Sequence, residues 1–127
     1  MKKVLIVEDH ADIRRLVRLT LEFEDCEVFE AGSALEGLAM ATAIFPDLIL
    51  LDVMMPGEMD GLELCRRVKG NPLLYGTKVV MLSARGSQED LERGEHAGAD
   101  AYLIKPFSPL KLVSLIDDVS ATIPLSL

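Results

Sequence analysis

Tryptophan is absent, aromatic residues make up only 5% of the chain, and no apolar run approaches the ~20 residues of a membrane-spanning helix. Glycine (9) and proline (6) are too few and too scattered for a collagen-like repeat or a flexible low-complexity tract. There are only two cysteines, Cys26 and Cys65, far apart and outside any Cys-x-x-Cys unit. That argues against a disulfide scaffold or a zinc site and for two buried thiols in a reducing compartment, the cytoplasm. Positive charge is also short: 13 basic against 21 acidic residues leave a net charge of −8. Such a surface repels phosphate backbones and anionic lipid, so no direct nucleic-acid or membrane partner is expected. Met1-Lys2-Lys3 opens like a leader, but the apolar stretch Val4 to Val7 is short and meets Glu8-Asp9 at once. A Gly-x4-Gly-Lys-Ser/Thr phosphate loop is missing, which excludes a P-loop enzyme.

What is present fits one compact core. A chain of 127 residues, half of them hydrophobic and 27% charged, buries roughly two-thirds of its unfolded surface in one domain. Short β-rich runs alternate with segments of helical period. The strand candidates are Lys3 to Glu8, Cys26 to Ala31, Asp47 to Asp52, Thr77 to Ser83 and Asp100 to Lys105. The first, third and fourth are almost wholly apolar inside, as strands covered on both faces are. Between them, Ile13, Leu16, Val17 and Leu21 mark one helix face, and Leu35, Leu38, Ala39 and Thr42 another. Ser33 with Glu36, Ser87 with Asp90 and Asp60 with Glu63 read as helix starts, as does Ser108 before Pro109. Strand–helix alternation of this kind predicts a doubly wound α/β domain with a parallel sheet. It occupies residues 1–122, with 123–127 as a tail or linker stub.

In open α/β sheets, ligands bind beyond the carboxyl ends of the strands, so polar strand ends carry the information. The first strand ends at Glu8-Asp9, the third at Asp52, the fourth at Ser83 and the fifth at Lys105. Any one of these alone reads best as a turn former or helix cap. Together they make three carboxylates, a hydroxyl and an amine on one edge, a plausible phosphoryl-transfer site. Carboxylates ~4 Å apart repel by about 4 kcal/mol per pair at an effective dielectric near 20, so Glu8, Asp9 and Asp52 need a cation. All-oxygen ligands favour a hard ion, Mg²⁺ foremost, with Mn²⁺ able to substitute. An aspartate so placed can attack phosphorus while the metal and an ammonium neutralise the equatorial oxygens, and Asp52 holds the central position.

At this point the chain resembles the receiver domains of two-component response regulators. The match runs from Val4 to about Ser120. It includes Glu8-Asp9, Leu51-Asp52-Val53-Met54-Met55-Pro56-Gly57, Asp60-Gly61, Ser83-Ala84 and Tyr102-Leu103-Ile104-Lys105-Pro106-Phe107. The resemblance implies a flavodoxin-like five-stranded sheet in the order 2-1-3-4-5 with five helices. Asp52 would be the phosphoacceptor, fed by a histidine kinase or histidine phosphotransfer domain. Asp9 and Asp52 would ligate Mg²⁺ directly, Glu8 through water, and Met54 by its backbone carbonyl. Lys105, ahead of a cis Pro106, would contact the phosphoryl group and Ser83 would hydrogen-bond it. Tyr102 would turn inward as Ser83 moves, altering the face of the fourth helix, fifth strand and fifth helix; otherwise it is a half-buried strand aromatic. The chain would work as a signalling switch rather than an enzyme with a separate substrate, as a monomer or a weak phosphorylation-dependent dimer.

Departures and rivals bear on this. Glu58 makes the loop after Gly57 one residue longer than is usual, either as a solvated bulge or as a modulator of the metal. Met54 and Arg85 stand where the family tunes phosphate lifetime; Arg85 either shields the acyl phosphate or points into solvent. Arg14, Arg15 and Arg18 form either a landing face for the phosphohistidine donor or an ordinary solvated surface. His10 and His96 read as exposed histidines, for want of a second His or Cys nearby. The methionines at 40, 54, 55, 59 and 81 read as packing and loop residues. A flavodoxin-like carrier would need a hydroxyl- and glycine-rich loop where Glu8-Asp9-His10 stands. A haloacid-dehalogenase-type phosphatase would need a second Asp two residues after Asp9. A degenerate receiver acting only in docking would lack the acceptor or the lysine.

Overall fold

A computed structural model describes residues 2–22, 24–84 and 88–121. Arg85, Ser87 and the tail at 123–127 lie outside the described residues, and so do the readings placed on them. The strands are β1 (Lys2–Val7), β2 (Cys26–Ala31), β3 (Leu48–Asp52), β4 (Lys78–Ser83) and β5 (Ala101–Ile104). The helices are α1 (Ala11–Leu21), α2 (Ala34–Ile44), α3 (Gly61–Lys69), α4 (Gln88–Ala97) and α5 (Pro109–Ala121), with one 3₁₀ turn at Pro72–Leu74. All strand pairs are parallel, in the order β2-β1-β3-β4-β5.

Alternation of side chains along each strand divides the core in two. Leu5, Val7, Ile49, Leu51, Val79 and Met81 pack with Leu64, Cys65, Val68 and Ala97 under α2, α3 and α4. Val4, Ile6, Leu48, Leu50, Val80, Leu82 and Leu103 pack with Val17, Leu21, Leu112 and Ile116 under α1 and α5. Both faces of the central strands are covered, which is why their sequence is continuously apolar rather than alternating.

The helix starts follow local chemistry. Ser33 accepts a hydrogen bond from the Glu36 amide at 3.2 Å, Asp60 from the Glu63 amide at 2.9 Å and Ser108 from the Lys111 amide at 3.1 Å. Each satisfies an amide that the first helical turn leaves unpaired. The Glu36 carboxylate reaches back to the Gly32 amide rather than to that of Ser33.

Three expectations fail here, the first at Leu16, which was placed on the packed face of α1 and is exposed. The buried face of α2 is Ala34, Gly37 and Ala41, one position away from the expected set, and Leu35, Ala39 and Thr42 are exposed. Close approach decides it: a Cβ on Gly37 would stand 2.7 Å from Val7 Cγ2, so the helix turns its small residues, not its large ones, to β1. Cys26, expected buried, is half-buried and lines a cleft with Leu21 and Ile116, while Cys65 is buried. Burial pushes the Cys65 thiol up to about 11.

Candidate phosphoryl-transfer site

The main-chain ladder continues past the strand ends and aligns the loops that follow. The Glu8 amide donates to Ala31 O at 3.0 Å, that of Val53 to Leu82 O at 2.9 Å, and that of Lys105 to Ser83 O at 2.7 Å. Beneath the third-strand loop lies Gly61. A Cβ there would overlap the main-chain carbonyl of Asp52, so the first turn of α3 presses against the backbone of that aspartate with no room for a side chain.

This arrangement brings four sequence-predicted residues together. Lys105 Nζ lies 2.9 and 3.1 Å from the two carboxylate oxygens of Glu8 and 3.4 Å from Asp52 Oδ1. Glu8 is wholly buried and Asp52 only 3% exposed. One donor atom from each of Glu8, Asp9, His10 and Asp52 falls in a group whose members all lie within 4.8 Å of one another. Asp9 Oδ1 is buried and accepts no hydrogen bond among the described residues. Asp52 Oδ1 accepts a backbone hydrogen bond from the Met54 amide at 3.3 Å.

The charge balance is lopsided, with three carboxylates facing one ammonium. Burial first, and then the neighbouring Glu8 carboxylate, push the Asp52 carboxyl up to about 7, against the opposing pull of Lys105 and the Met54 amide. Crowded carboxylates that resist being charged together, one with a buried oxygen free of hydrogen bonds among the described residues, fit a divalent cation, whose charge would offset their repulsion and keep Asp52 ionised.

The remaining predicted residues take different places. Ser83, 3% exposed, ends β4 one step beyond the Asp52–Leu82 pairing. Tyr102 pairs with Met81, two residues before Ser83, so Ser83 and Tyr102 point to the same sheet face. The Tyr102 ring is half-buried beneath α4, where a Cβ on Gly94 would overlap it. Met54 turns its side chain into solvent and Glu58 is exposed in the loop where Gly57 adopts a φ of +116°. The Lys105–Pro106 peptide is cis.

The basic face of α1 is partly committed. Arg14 and Arg18 pair with Glu30 of β2 at 3.3 and 2.6 Å, and Arg14 also donates to the Glu8 carbonyl at 2.6 Å. His10, read from sequence as a solvated loop histidine, is exposed as expected, and it also donates or accepts through Nδ1 at 2.9 Å from Glu8 Oε1. That bond first, and then the Asp9 charge, raise the pKa of its imidazole. Its position directly after the acidic pair was the available signal. Beside Lys105, a mostly apolar cleft of about 370 Å³ is lined by Ile13, Leu16, Ala84, Pro106 and Phe107.

A buried acid cluster, a lysine and a hydroxyl at the carboxyl edge of a doubly wound sheet define a class: α/β phosphoacceptor modules that work with a divalent cation. Comparison with known proteins agrees. A family model for the response regulator receiver domain matches residues 4–117. The transcriptional regulatory protein ResD of Bacillus subtilis is 43% identical over 111 residues, 87% of this chain and 45% of that protein. The phosphate regulon transcriptional regulatory protein PhoB of Escherichia coli is 41% identical over 118 residues, 93% of this chain and 51% of that protein. The chain thus spans about half the length of these curated relatives. Among solved structures, the chemotaxis protein CheY4 of Vibrio cholerae superposes with a TM-score of 0.88 at 36% identity, covering 94% of this chain and 98% of that one. The chain belongs to the response regulator receiver domain family, and its role is that of a phosphoacceptor in two-component signalling.

Proposed function

We propose that Asp52 is the phosphoacceptor and that residues 1–122 act as the receiver module. The observation carrying this reading is the position of Asp52: buried, backed by Gly61, and facing both Lys105 and the bare oxygen of Asp9. An Asp52 carboxylate oxygen attacks the phosphorus of a phosphohistidine. The phosphorus–nitrogen bond breaks, and the departing imidazole takes up a proton. Asp9 and Asp52, with Glu8 and the Met54 carbonyl, would hold Mg²⁺, which supplies charge neutralisation on the transferring phosphoryl group. Lys105 turns from Glu8 to the new phosphoryl oxygens, and Ser83 donates its hydroxyl to them.

The partner is a histidine kinase or a histidine phosphotransfer domain. Its apolar helix surface would cover the cleft between α1 and Phe107, placing its imidazole over Asp52. Output passes through Tyr102 and the α4-β5-α5 face to a downstream protein, with the module monomeric or weakly dimeric once phosphorylated. Glu58 and Met54, exposed beside the pocket, tune phosphate lifetime. Among the described residues no helix is long and apolar enough to cross a membrane, and we place the module in the cytoplasm as a switch without a separate substrate.

The test is incubation with Mg²⁺ and a small-molecule phosphodonor, read by intact mass and by lability of the adduct to base. One phosphoryl group is expected on the wild type and none on Asp52→Asn. An adduct that persists in Asp52→Asn would remove Asp52 from the role.

A further inference from the structure

His10 borders the acid cluster, yet phosphoryl transfer as proposed gives it no task. It is the N-cap residue of α1, but its side chain caps nothing, unlike those of Ser33 and Asp60. The ring turns to the acids instead. Nδ1 stands 2.9 Å from Glu8 Oε1 and 3.3 Å from Asp9 Oδ1. Adjacent donors around an octahedral ion with bonds of ~2.1 Å are about 3 Å apart, and opposite donors about 4.2 Å. The four donor atoms of Glu8, Asp9, His10 and Asp52, all within 4.8 Å of one another, span nearly that size.

A simple imidazole–carboxylate hydrogen bond accounts for the first distance but not for the second. One ring nitrogen carries at most one proton, and the 2.9 Å contact to Glu8 uses it. Asp9 Oδ1 is then left buried without a donor, which costs on the order of 1–3 kcal/mol. A cation among these atoms satisfies Asp9, Glu8 and Asp52 together and accepts the imidazole lone pair. The ring is 65% exposed, so it can adjust from the solvent side without unpacking the core.

We propose that His10 Nδ1 is a ligand of the divalent cation in this pocket and makes the site prefer Mn²⁺ to Mg²⁺. Carboxylates and water suit Mg²⁺ and Mn²⁺ alike, so an added imidazole nitrogen tips the balance toward the transition ion, which opens the series along which affinity for such donors rises. The inference rests on the reading of Glu8, Asp9 and Asp52 as the metal site and adds the residue that sets its selectivity.

The experiment uses the whole chain with Mn²⁺ as the probe. Pulsed electron paramagnetic resonance of the bound ion should show nitrogen hyperfine modulation in the wild type, absent in His10→Asn. Competition between Mn²⁺ and Mg²⁺, followed by calorimetry, should lose at least roughly tenfold of its Mn²⁺ preference in that variant, the lower end of what removing a residue that only supports a ligand costs. Mn²⁺ that binds without nitrogen modulation, and is lost in Asp9→Asn, overturns the role of His10 and leaves the metal site standing. A wild type that binds no Mn²⁺ overturns both. Circular dichroism of His10→Asn, at this exposed position, checks that the fold is retained.

Discussion

Lys105 Nζ is closer to both carboxylate oxygens of Glu8, at 2.9 and 3.1 Å, than to Asp52 Oδ1 at 3.4 Å. The ammonium therefore rests on the buried Glu8, from which, in the proposed mechanism, a phosphoryl group would draw it. Removing the ammonium leaves the wholly buried Glu8 carboxylate with the exposed His10 imidazole in place of a full ammonium partner. Lys105→Ala is expected to lose about 3 kcal/mol of stability in metal-free buffer, the usual cost of breaking a buried pair from one side. Urea unfolding at pH 7 measures it. Added Mg²⁺ should recover part of the loss, since a ligand bound only to the folded state stabilises it. The variant should still bind the ion but lose the conformational response to phosphorylation.

Asp52 makes stability depend on pH in a direction opposite to most aspartates. Its folded-state value, about 7, lies above the ordinary 3.8, so the folded protein holds a proton that the unfolded chain releases above about pH 4. The stabilisation that comes from keeping this carboxyl neutral is complete below about pH 4 and is lost as pH rises to about 7. Asp52→Asn carries no such penalty. Its stability relative to wild type should rise across that window and level off above it, by roughly 4 kcal/mol at most. Urea unfolding of both proteins at pH 5 and pH 8, without metal, gives the comparison. An equal gap at the two pH values would contradict the assignment, and Mg²⁺ at pH 8 should narrow the gap.

Gly94 and Tyr102 are sterically coupled, because a methyl group on residue 94 overlaps the tyrosine ring. In an otherwise intact helix, glycine to alanine gains ~1 kcal/mol. Gly94→Ala should instead destabilise the wild type by about 1 kcal/mol through overpacking. It should stabilise the Tyr102→Ala background. A double-mutant cycle from urea unfolding measures the change of sign, and additive effects would show that the ring does not occupy this place.

Gly61→Ala has no such escape, since its methyl group meets the backbone carbonyl of Asp52 rather than a side chain that can rotate. A loss of about 3 kcal/mol or more is expected, together with slowed phosphorylation from a small phosphodonor as the acceptor is displaced. Normal phosphorylation kinetics in a fully folded Gly61→Ala protein would refute the close packing of α3 on the acceptor loop.

Much of this was legible before any coordinates. Continuous apolar runs ending in Glu8, Asp52 and Ser83 identify covered parallel strands and the polar edge where they stop, because strand periodicity and burial act locally. Ser33, Asp60 and Ser108 mark helix starts for the same local reason. By contrast, the face of α2 misled, because the large Leu35 was expected inside. The contact distance to Val7 at Gly37 overrode hydrophobicity, and no residue of α2 encodes that distance alone.

The chain by itself determined the kind of groups that gather at the carboxyl edge: acids after the first and third strands, a hydroxyl after the fourth and an amine after the fifth. Tertiary structure decided which of them touch. Lys105 leans on Glu8, 97 residues away, Arg14 and Arg18 cross to Glu30, and the exposed His10 reaches the acids through Nδ1. Those pairings depend on strand order, and the Glu8–Lys105 pair also on a few tenths of an ångström in buried, low-dielectric space. There Coulomb energy changes steeply with distance, whereas local propensity carries no information about it.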